Sequence, residues 1–352
     1  MNVVCEHGGD WTSYADEYGS LPLDFSASIS PLGMPEAAVR AATDALNVAD
    51  RYPDPFCRSL RAALSSCHCI PDDRIVCGNG AADLIDRIVR TVRPRCALLL
   101  SPSFSEYERA LSEFGCSVRF WNLSEENGFH LTEQFLGALT EDIDLVFLCQ
   151  PNNPTCVPVS PELSVSILKR CAEMRAHLVT DECFLDFTAD PDRYSLRRFL
   201  PEHRNLTVLR AFTKTYAMAG LRLGYALCSD ASFAARLQAC GQPWAVSAPA
   251  QAAGIAALTD PDYLATLRTL IVKERARLLE GLAALGMKVI PGEANFLLFR
   301  SEKQDLAERL RCRGILLRDC STFSGLGAGW YRCAVRTEDE NKLFLRTMEE
   351  IL

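Results

Sequence analysis

The fold is indicated first by the stretch LVFLCQPNNPT, which occupies residues 145–155. Its first five residues are apolar, as in a short buried strand, and a polar turn rich in proline and asparagine follows directly. Residues 178–180 (LVT) form a second apolar strand, which leads into Asp181, and a third apolar run leads to Lys214. Asn153, Asp181 and Lys214 therefore each follow a short strand. The carboxyl ends of strands are where open α/β sheets bind ligands.

The composition is that of a globular protein. The chain has 352 residues, 48% of them hydrophobic and 23% charged, and this length predicts about two domains. The net charge of −8, without a long run of lysine or arginine, argues against a nucleic acid or an acidic membrane as partner. No segment has the roughly 20 apolar residues of a membrane span, and the first residues lack a secretion signal. We expect a cytoplasmic enzyme with a small-molecule substrate.

The chain contains 16 cysteines, many of them inside apolar strand patterns, as at Cys149 and Cys228. None forms a Cys-x-x-Cys pair, so reduced and buried thiols are expected. Residues 67–69 (CHC) could be half of a metal site, but no second pair at ligand spacing accompanies them. We expect no metal.

The order of predicted strands and helices divides the chain into three parts. We predict an N-terminal arm at 1–47, a large cofactor domain at 48–245 and a small domain at 246–352. The middle block alternates short apolar strands with helical patterns, which predicts a mostly parallel sheet covered by helices. The last block contains a helical run, two strand candidates and a final helix, at residues 249–285, 295–300, 330–335 and 339–352. We predict an α/β fold in which the arm contributes to the small domain.

Lys214 is followed a short distance along the chain by Arg222. A lysine at a strand end beside a fixed guanidinium can bind an aldehyde and a phosphate together. Pyridoxal phosphate carries both groups, and the protein must orient and tune it. Asp181 suits the position facing the ring nitrogen, because an opposite charge at contact distance favours the protonated form of that nitrogen.

A phosphate site is predicted at residues 75–83 (IVCGNGAAD), where a strand, a glycine turn and the start of a helix follow one another. Free backbone N–H groups at a helix N-terminus bind anions. Gly80, Ala81 and Ala82 would supply these amides, and Arg222 would supply the cation.

Short segments along most of the chain carry a resemblance to a known family. They are HGG at 7–9, LDFS at 23–26, PLGMP at 31–35, RYPD at 51–54, GNG at 78–80, YERAL at 107–111, QPW at 242–244 and WYR at 330–332. With Lys214, Asp181 and Asn153 they resemble the fold-type I pyridoxal-phosphate enzymes, the aspartate aminotransferase superfamily. Within it the chain looks most like the L-threonine O-3-phosphate decarboxylases, which make aminopropanol phosphate for cobalamin. The related histidinol-phosphate aminotransferases, which share RYPD, are the alternative.

Phe184 favours the decarboxylase resemblance. Typical aminotransferases of this superfamily have a tyrosine there, whose hydroxyl bonds the cofactor's phenolate oxygen, whereas the decarboxylases have phenylalanine. Other positions depart from the relatives. Ala211 lacks a hydroxyl for the cofactor phosphate, Ser28 and Ser30 stand where asparagines are expected, and Cys156 replaces a common glycine.

The resemblance implies roles in binding the cofactor. Lys214 would be the Schiff-base lysine and Asp181 the partner of the pyridinium nitrogen, while Asn153 would bond the phenolate oxygen and Phe104 would stack on the ring. Tyr52 is implied to reach the phosphate in the neighbouring subunit, which means a homodimer with shared active sites. The remaining implied cofactor-binding residues are Gly80, Ala81, Ala82, Thr213 and Arg222.

The resemblance also implies a small phosphorylated amino acid as the substrate. Arg332 would hold its carboxylate, for which the fork of a guanidinium is suited. Arg318 would meet its phosphate or carboxylate, and His7 and Gly8 would close over the phosphate. Further substrate contacts are implied at Asn153 and Ser30.

The reaction depends on which bond at the substrate Cα stands perpendicular to the cofactor ring. A decarboxylase would set the bond to the carboxylate there, and an aminotransferase would set the bond to hydrogen. The sequence leaves this choice open, and also the choice between threonine phosphate and serine phosphate. A non-catalytic pyridoxal-phosphate protein is disfavoured because Lys214, Asp181 and Arg332 are all present.

Overall fold

The computed structural model describes residues 7–352 of the chain. In the described part of the N-terminal arm, residues 7–47, lie the α-helix α1 (Trp11–Tyr18), the short strand β1 (Leu23–Asp24) and the α-helix α2 (Glu36–Ala45). The Asp10 side chain caps α1 by accepting from the Ser13 N–H, and Gly19 ends this helix in the left-handed conformation that glycine adopts readily.

A seven-stranded sheet forms the centre of the molecule. Its strands are β2 (Ile75–Gly78), β3 (Cys96–Ser101), β4 (Ser117–Asn122), β5 (Leu145–Cys149), β6 (His177–Asp181), β7 (Leu206–Ala211) and β8 (Gly224–Cys228). Their order across the sheet is β2-β8-β7-β6-β5-β3-β4. β8 is antiparallel to both of its neighbours, and the other pairings are parallel. The expectation of a mostly parallel sheet is therefore confirmed.

The apolar strands are buried on both faces of this sheet. In β5, Phe147 packs into one hydrophobic cluster and Val146 and Leu148 into another on the opposite face. Continuous apolar runs of this kind are typical of parallel strands covered by helices. The helices of this part of the chain are α3 (Arg58–His68), α4 (Gly80–Val92), α5 (Ser105–Glu113), α6 (Pro161–Glu173), α7 (Pro191–Tyr194), α8 (Phe212–Thr215) and α9 (Ala231–Ala239).

The C-terminal part builds a second, antiparallel sheet. Its elements are α10 (Ala248–Ala257), α11 (Pro261–Ala284), β9 (Lys288–Ile290), β10 (Phe296–Arg300), α12 (Leu306–Arg311), β11 (Ile315–Leu316), β12 (Arg318–Asp319), β13 (Trp330–Ala334) and α13 (Glu338–Ile351). The sheet order is β12-β13-β10-β9. The helical run expected at 249–285 is two helices, because Asp260 caps α11 and Pro261 occupies its first turn.

Strand β1 of the arm pairs in parallel with β11, so the arm is joined to the C-terminal part of the chain. The boundaries at residues 47 and 245 stay a prediction. Within residues 7–352 the cysteines form no disulfide. No helix in the same range combines the length and the apolar character that crossing a bilayer requires.

Candidate active site

A cavity of about 460 Å³ lies at the carboxyl ends of β5, β6 and β7. The structure brings most of the residues that were singled out in the sequence to its wall. They are His7, Gly8, Ala81, Ala82, Phe104, Asn153, Asp181, Thr213, Lys214, Arg222, Arg318 and Arg332. Asn153 lies in the turn after β5, Asp181 ends β6 and Lys214 lies on the short helix after β7, so all three are at the carboxyl ends of their strands, as the sheet-edge argument predicted.

Lys214 lies on α8, the short helix that begins directly after β7. Burial lowers the pKa of its amine to about 8, and the positive charges of Arg332 and Arg222 act in the same direction. The amine Nζ lies 5.9 Å from the centre of the Phe184 ring. The lowered pKa leaves a usable fraction of the amine neutral near pH 8, which is the form that attacks an aldehyde.

Asp181 ends strand β6 and is only 4% exposed. Its Oδ2 accepts a hydrogen bond from the Tyr107 hydroxyl at 2.7 Å, and its Oδ1 accepts one from the Cys183 N–H at 3.1 Å. Both donors are neutral. Among the ion pairs of residues 7–352, none involves this carboxylate. A buried carboxylate without a cation is costly, and a protonated ring nitrogen in the cavity would supply that cation.

The N-terminus of α4 forms an anion-binding surface with Arg222. The first N–H groups of a helix have no acceptor within it, and the Asn79 side chain does not cap α4. Gly80 has a φ of +79°, and a Cβ there would lie 2.7 Å from Nη2 of Arg222. At Gly224 a Cβ would lie 2.8 Å from the backbone nitrogen of Ala81. The two glycines thus let the guanidinium and the free amides converge, which suits a phosphate.

Arg332 enters the cavity from β13 of the second sheet and is 7% exposed. Its guanidinium donates to Oδ1 of Asn153 and, at 2.9 Å, to the backbone oxygen of Ser26. Burial lowers its pKa, although a guanidinium remains charged in proteins. Its Nε is buried and has no hydrogen-bond partner. A cation with an unsatisfied donor beside the cavity suits a carboxylate ligand.

Polar and charged residues from three parts of the chain line this cavity. Nε2 of His7 lies 2.9 Å from Oε1 of Glu106, and this contact is the largest cause that lowers the Glu106 pKa to about 2. Gly8 lies against Ser26, where a Cβ would come within 2.1 Å of the backbone oxygen. The guanidinium of Arg318 lies 5.3 Å from the centre of the Phe323 ring.

Of the residues that were singled out in the sequence, Gly80 does not line the cavity but lies against Arg222, and Ser30 and Tyr52 lie away from it. Ser30 is buried, with its hydroxyl 2.7 Å from that of Tyr263 and its N–H donating to the Lys214 backbone oxygen. The Ser30 hydroxyl thus has a partner within the protein, and its implied contact with the substrate stays a prediction. Tyr52 is 79% exposed and stacks on Trp244. Its implied role concerns a neighbouring subunit and stays a prediction.

Sequence reasoning gave no role to Tyr107 or Glu106. Glu106 and Phe104 both line the cavity, and Tyr107 lies directly behind Phe104, with the two rings edge to face at 5.5 Å. The available signal was their place in the first turn of α5, which follows strand β3. Neither the contact between Tyr107 and Asp181 nor that between Glu106 and His7 can be inferred from spacing, because many residues separate the partners.

Comparison with known proteins identifies the family. A family model described as aminotransferase class I and II matches residues 22–348. The chain belongs to the class I and II aminotransferase family. The match covers both sheets and the cavity-lining residues other than His7 and Gly8, in agreement with the aspartate aminotransferase fold.

Individual members of the family are similar over nearly the whole chain. The threonine-phosphate decarboxylase of Salmonella typhimurium is 39% identical, over 98% of this chain and 96% of its own length. The histidinol-phosphate aminotransferase of Clostridium acetobutylicum superposes with a TM-score of 0.87 at 31% identity, covering 94% of this chain and 98% of its own. The L-threonine-O-3-phosphate decarboxylase of Porphyromonas gingivalis superposes with a TM-score of 0.81 at 26% identity, covering 94% of this chain and 99% of its own.

The residues present fit pyridoxal phosphate, the cofactor of this family. Lys214 offers an amine of lowered pKa for the aldehyde, and Asp181 offers a carboxylate without a cation for the ring nitrogen. The first turn of α4 and Arg222 offer donors and a positive charge for the phosphate. The face of Phe104 on the cavity suits an aromatic ring.

Proposed function

We propose that the chain decarboxylates L-threonine O-3-phosphate to (R)-1-amino-2-propanol phosphate, with pyridoxal phosphate as cofactor. The observation that carries this proposal is the 39% identity to a threonine-phosphate decarboxylase over 98% of the chain. The product is the aminopropanol phosphate that cobalamin synthesis uses, which would be the biological context.

The cavity has groups for both charged ends of this substrate. Arg332, with its unsatisfied Nε, would bind the carboxylate. Arg318 and His7 lie on the cavity wall and would meet the phosphate. Phe184 supports the proposal too, because no phenol hydroxyl is offered to the cofactor at this position.

Each side chain has a separate task in the proposed reaction. Bound pyridoxal phosphate would supply a ring that accepts the electron pair released when the bond between Cα and the carboxylate breaks. Arg332 would orient that carboxylate before carbon dioxide leaves. Lys214, whose pKa is about 8, can then donate a proton to Cα and regain one from solvent. Asp181 would hold the positive charge of the ring nitrogen in place throughout.

The direct test is to incubate the protein and pyridoxal phosphate with L-threonine O-3-phosphate and to measure carbon dioxide and the phosphorylated amine. We expect the two products in equal amounts. Amino transfer from histidinol phosphate to 2-oxoglutarate, without carbon dioxide from threonine phosphate, would overturn the proposal. Serine phosphate should be run in parallel, because one methyl group changes selectivity by only about 1–3 kcal/mol.

An aminotransferase of the histidinol-phosphate type is the second candidate. It is favoured by the superposition on the Clostridium acetobutylicum enzyme, whose TM-score exceeds that of the Porphyromonas gingivalis decarboxylase. These two solved proteins have the same fold, and both of their names contain a phosphorylated compound. The assay described above therefore distinguishes the two candidate functions.

We further propose a cytoplasmic homodimer with shared active sites. Apolar side chains are exposed around Tyr52, and its ring stacks on Trp244 with 4.5 Å between centres. Phe56, Leu46 and Val48 are exposed as well. Contact with a second copy would bury these side chains and bring Tyr52 to the neighbouring site.

A further inference from the structure

We propose that Tyr107 is a positioning residue for Asp181, whose carboxylate its hydroxyl holds directed at the ring nitrogen of the cofactor. The inference rests on the cofactor of the proposed function. It does not depend on whether the carboxylate or the hydrogen leaves Cα.

The hydroxyl of Tyr107 is fixed in direction by its surroundings. The residue is 0% exposed, and its ring stacks on Phe147 with 4.7 Å between centres and 10° between planes. The ring of Phe104 meets it edge to face, at 86°. Rings held on two sides leave one position for the hydroxyl, which lies 2.7 Å from Oδ2 of Asp181. Tyr107 therefore contacts both Asp181, which would face the ring nitrogen, and Phe104, which would stack on the cofactor ring.

The charges around this contact make Tyr107 a donor. Burial first, and then the charge of Asp181, raise the pKa of the Tyr107 phenol well above its ordinary value, so the hydroxyl keeps its proton. Burial also raises the pKa of the neighbouring Cys149 thiol to about 12, so it adds no negative charge near neutral pH. The Cys183 N–H also donates to this carboxylate, at the longer distance of 3.1 Å.

A hydrogen bond to a carboxylate stabilises its negative charge and fixes the direction of its oxygens. The Tyr107 hydroxyl would thus help the Asp181 carboxylate to pair with a protonated ring nitrogen when the cofactor is bound. Without this donor the carboxylate would be less well oriented and would stabilise the positive charge of the ring less. The cofactor would then bind less tightly, and its ring would accept electrons less well.

The test compares cofactor affinity in the full-length wild type and in Tyr107→Phe, which keeps the stacked ring and removes the hydroxyl. We expect the dissociation constant for pyridoxal phosphate to rise about tenfold or more, as for the loss of a hydrogen bond to a charged group. We also expect kcat to fall while KM for the amino acid is unchanged, because Tyr107 does not line the cavity. Tyr194→Phe is the matched control. It removes a hydroxyl 2.6 Å from the Glu293 carboxylate, outside the cavity, and should change neither quantity.

A double-mutant cycle separates positioning from packing. In the Asp181→Asn background the charged acceptor is absent, so Tyr107→Phe should have little further effect on cofactor affinity. An equal effect in both backgrounds, or wild-type affinity and kcat in Tyr107→Phe, would overturn this inference while leaving the proposed function intact. Failure of the wild type itself to bind pyridoxal phosphate would overturn the cofactor assignment and this inference together.

Discussion

The amine of Lys214 lies where its protonated form is disfavoured, and this gives a pH dependence that can be measured. Its pKa falls from the ordinary 10.5 to about 8 in the folded protein. At a pH between these two pKa values, Lys214 is protonated in the unfolded chain but not in the folded protein. The free energy of unfolding should therefore rise between pH 8 and 10.5 because of this group. Below pH 8 the buried lysine should destabilise the folded protein to its full extent.

Lys214→Met removes this group at similar length, so the variant should lack its share of the pH dependence. Urea unfolding of the cofactor-free proteins at several pH values measures the effect. We expect the variant to be more stable than the wild type at pH 7, with the difference shrinking as the pH approaches 10.5. A difference that is constant over this range would contradict the lowered pKa.

Arg332 is predicted to contribute binding energy through the fork of its guanidinium. Arg332→Gln removes the charge that would pair with the substrate carboxylate, and kcat/KM should fall by at least about thirtyfold, or about 2 kcal/mol. Arg300→Lys, on the neighbouring strand, is the control, since Arg300 is exposed and pairs with Glu125. Steady-state kinetics with threonine phosphate measure both. Unchanged kcat/KM in Arg332→Gln would remove the carboxylate clamp from the account.

At the level of elements, the first turn of α4 depends on Gly80. In Gly80→Ala the added Cβ would lie 2.7 Å from Nη2 of Arg222, and the alanine would have to adopt a φ of +79°. Both the strain and the displaced guanidinium should weaken cofactor binding. Gly115→Ala is the matched control, because Gly115 has a φ of +68° and open space around it. Cofactor titration should show weaker binding for Gly80→Ala alone, although unfolding measurements should show that both variants lose stability. Equal affinity in the two variants would contradict the phosphate cradle.

The strands could be predicted from the sequence because their burial is local and continuous. The run at 145–149 is a strand with the expected bounds, and the polar turn after it reaches the cavity. The antiparallel direction of β8 was not predicted, since an apolar run carries no information on direction. Cys156 was noted only as a departure from glycine. It has a φ of +65°, and its thiol lies 2.8 Å from the backbone oxygen of Phe296, a contact that depends on how two distant segments fold together.

At the level of the whole molecule, shared active sites predict recovery of activity on mixing two inactive variants. Lys214→Ala removes the amine within its own subunit, whereas Tyr52→Ala would remove a side chain from the neighbouring site. A heterodimer would contain one site with both changes and one with neither. We expect each variant alone to be weakly active or inactive and the mixture, after subunit exchange, to regain activity. Dimers without recovery in the mixture would contradict the sharing of Tyr52.

The site is more completely predicted than the contacts that support it. Lysine, aspartate and arginine side chains near predicted strand ends could be recognised from the sequence, because their residue types suit a cofactor and they follow apolar runs. The arm is different, because the contact between the Ser30 hydroxyl and Tyr263 of α11 was not predicted, while the implied contact of Ser30 with the substrate stays a prediction. Such pairing across the chain is set by the packing of the arm against the rest of the molecule, and no local pattern encodes it.

The central claim is that Lys214 binds the aldehyde of pyridoxal phosphate. Borohydride treatment of the protein with its cofactor, followed by peptide mass spectrometry, tests it most directly. The account predicts one reduced cofactor adduct on the peptide that contains Lys214, and none on exposed lysines such as Lys288. A protein without an adduct, or with the adduct on another lysine, would contradict it.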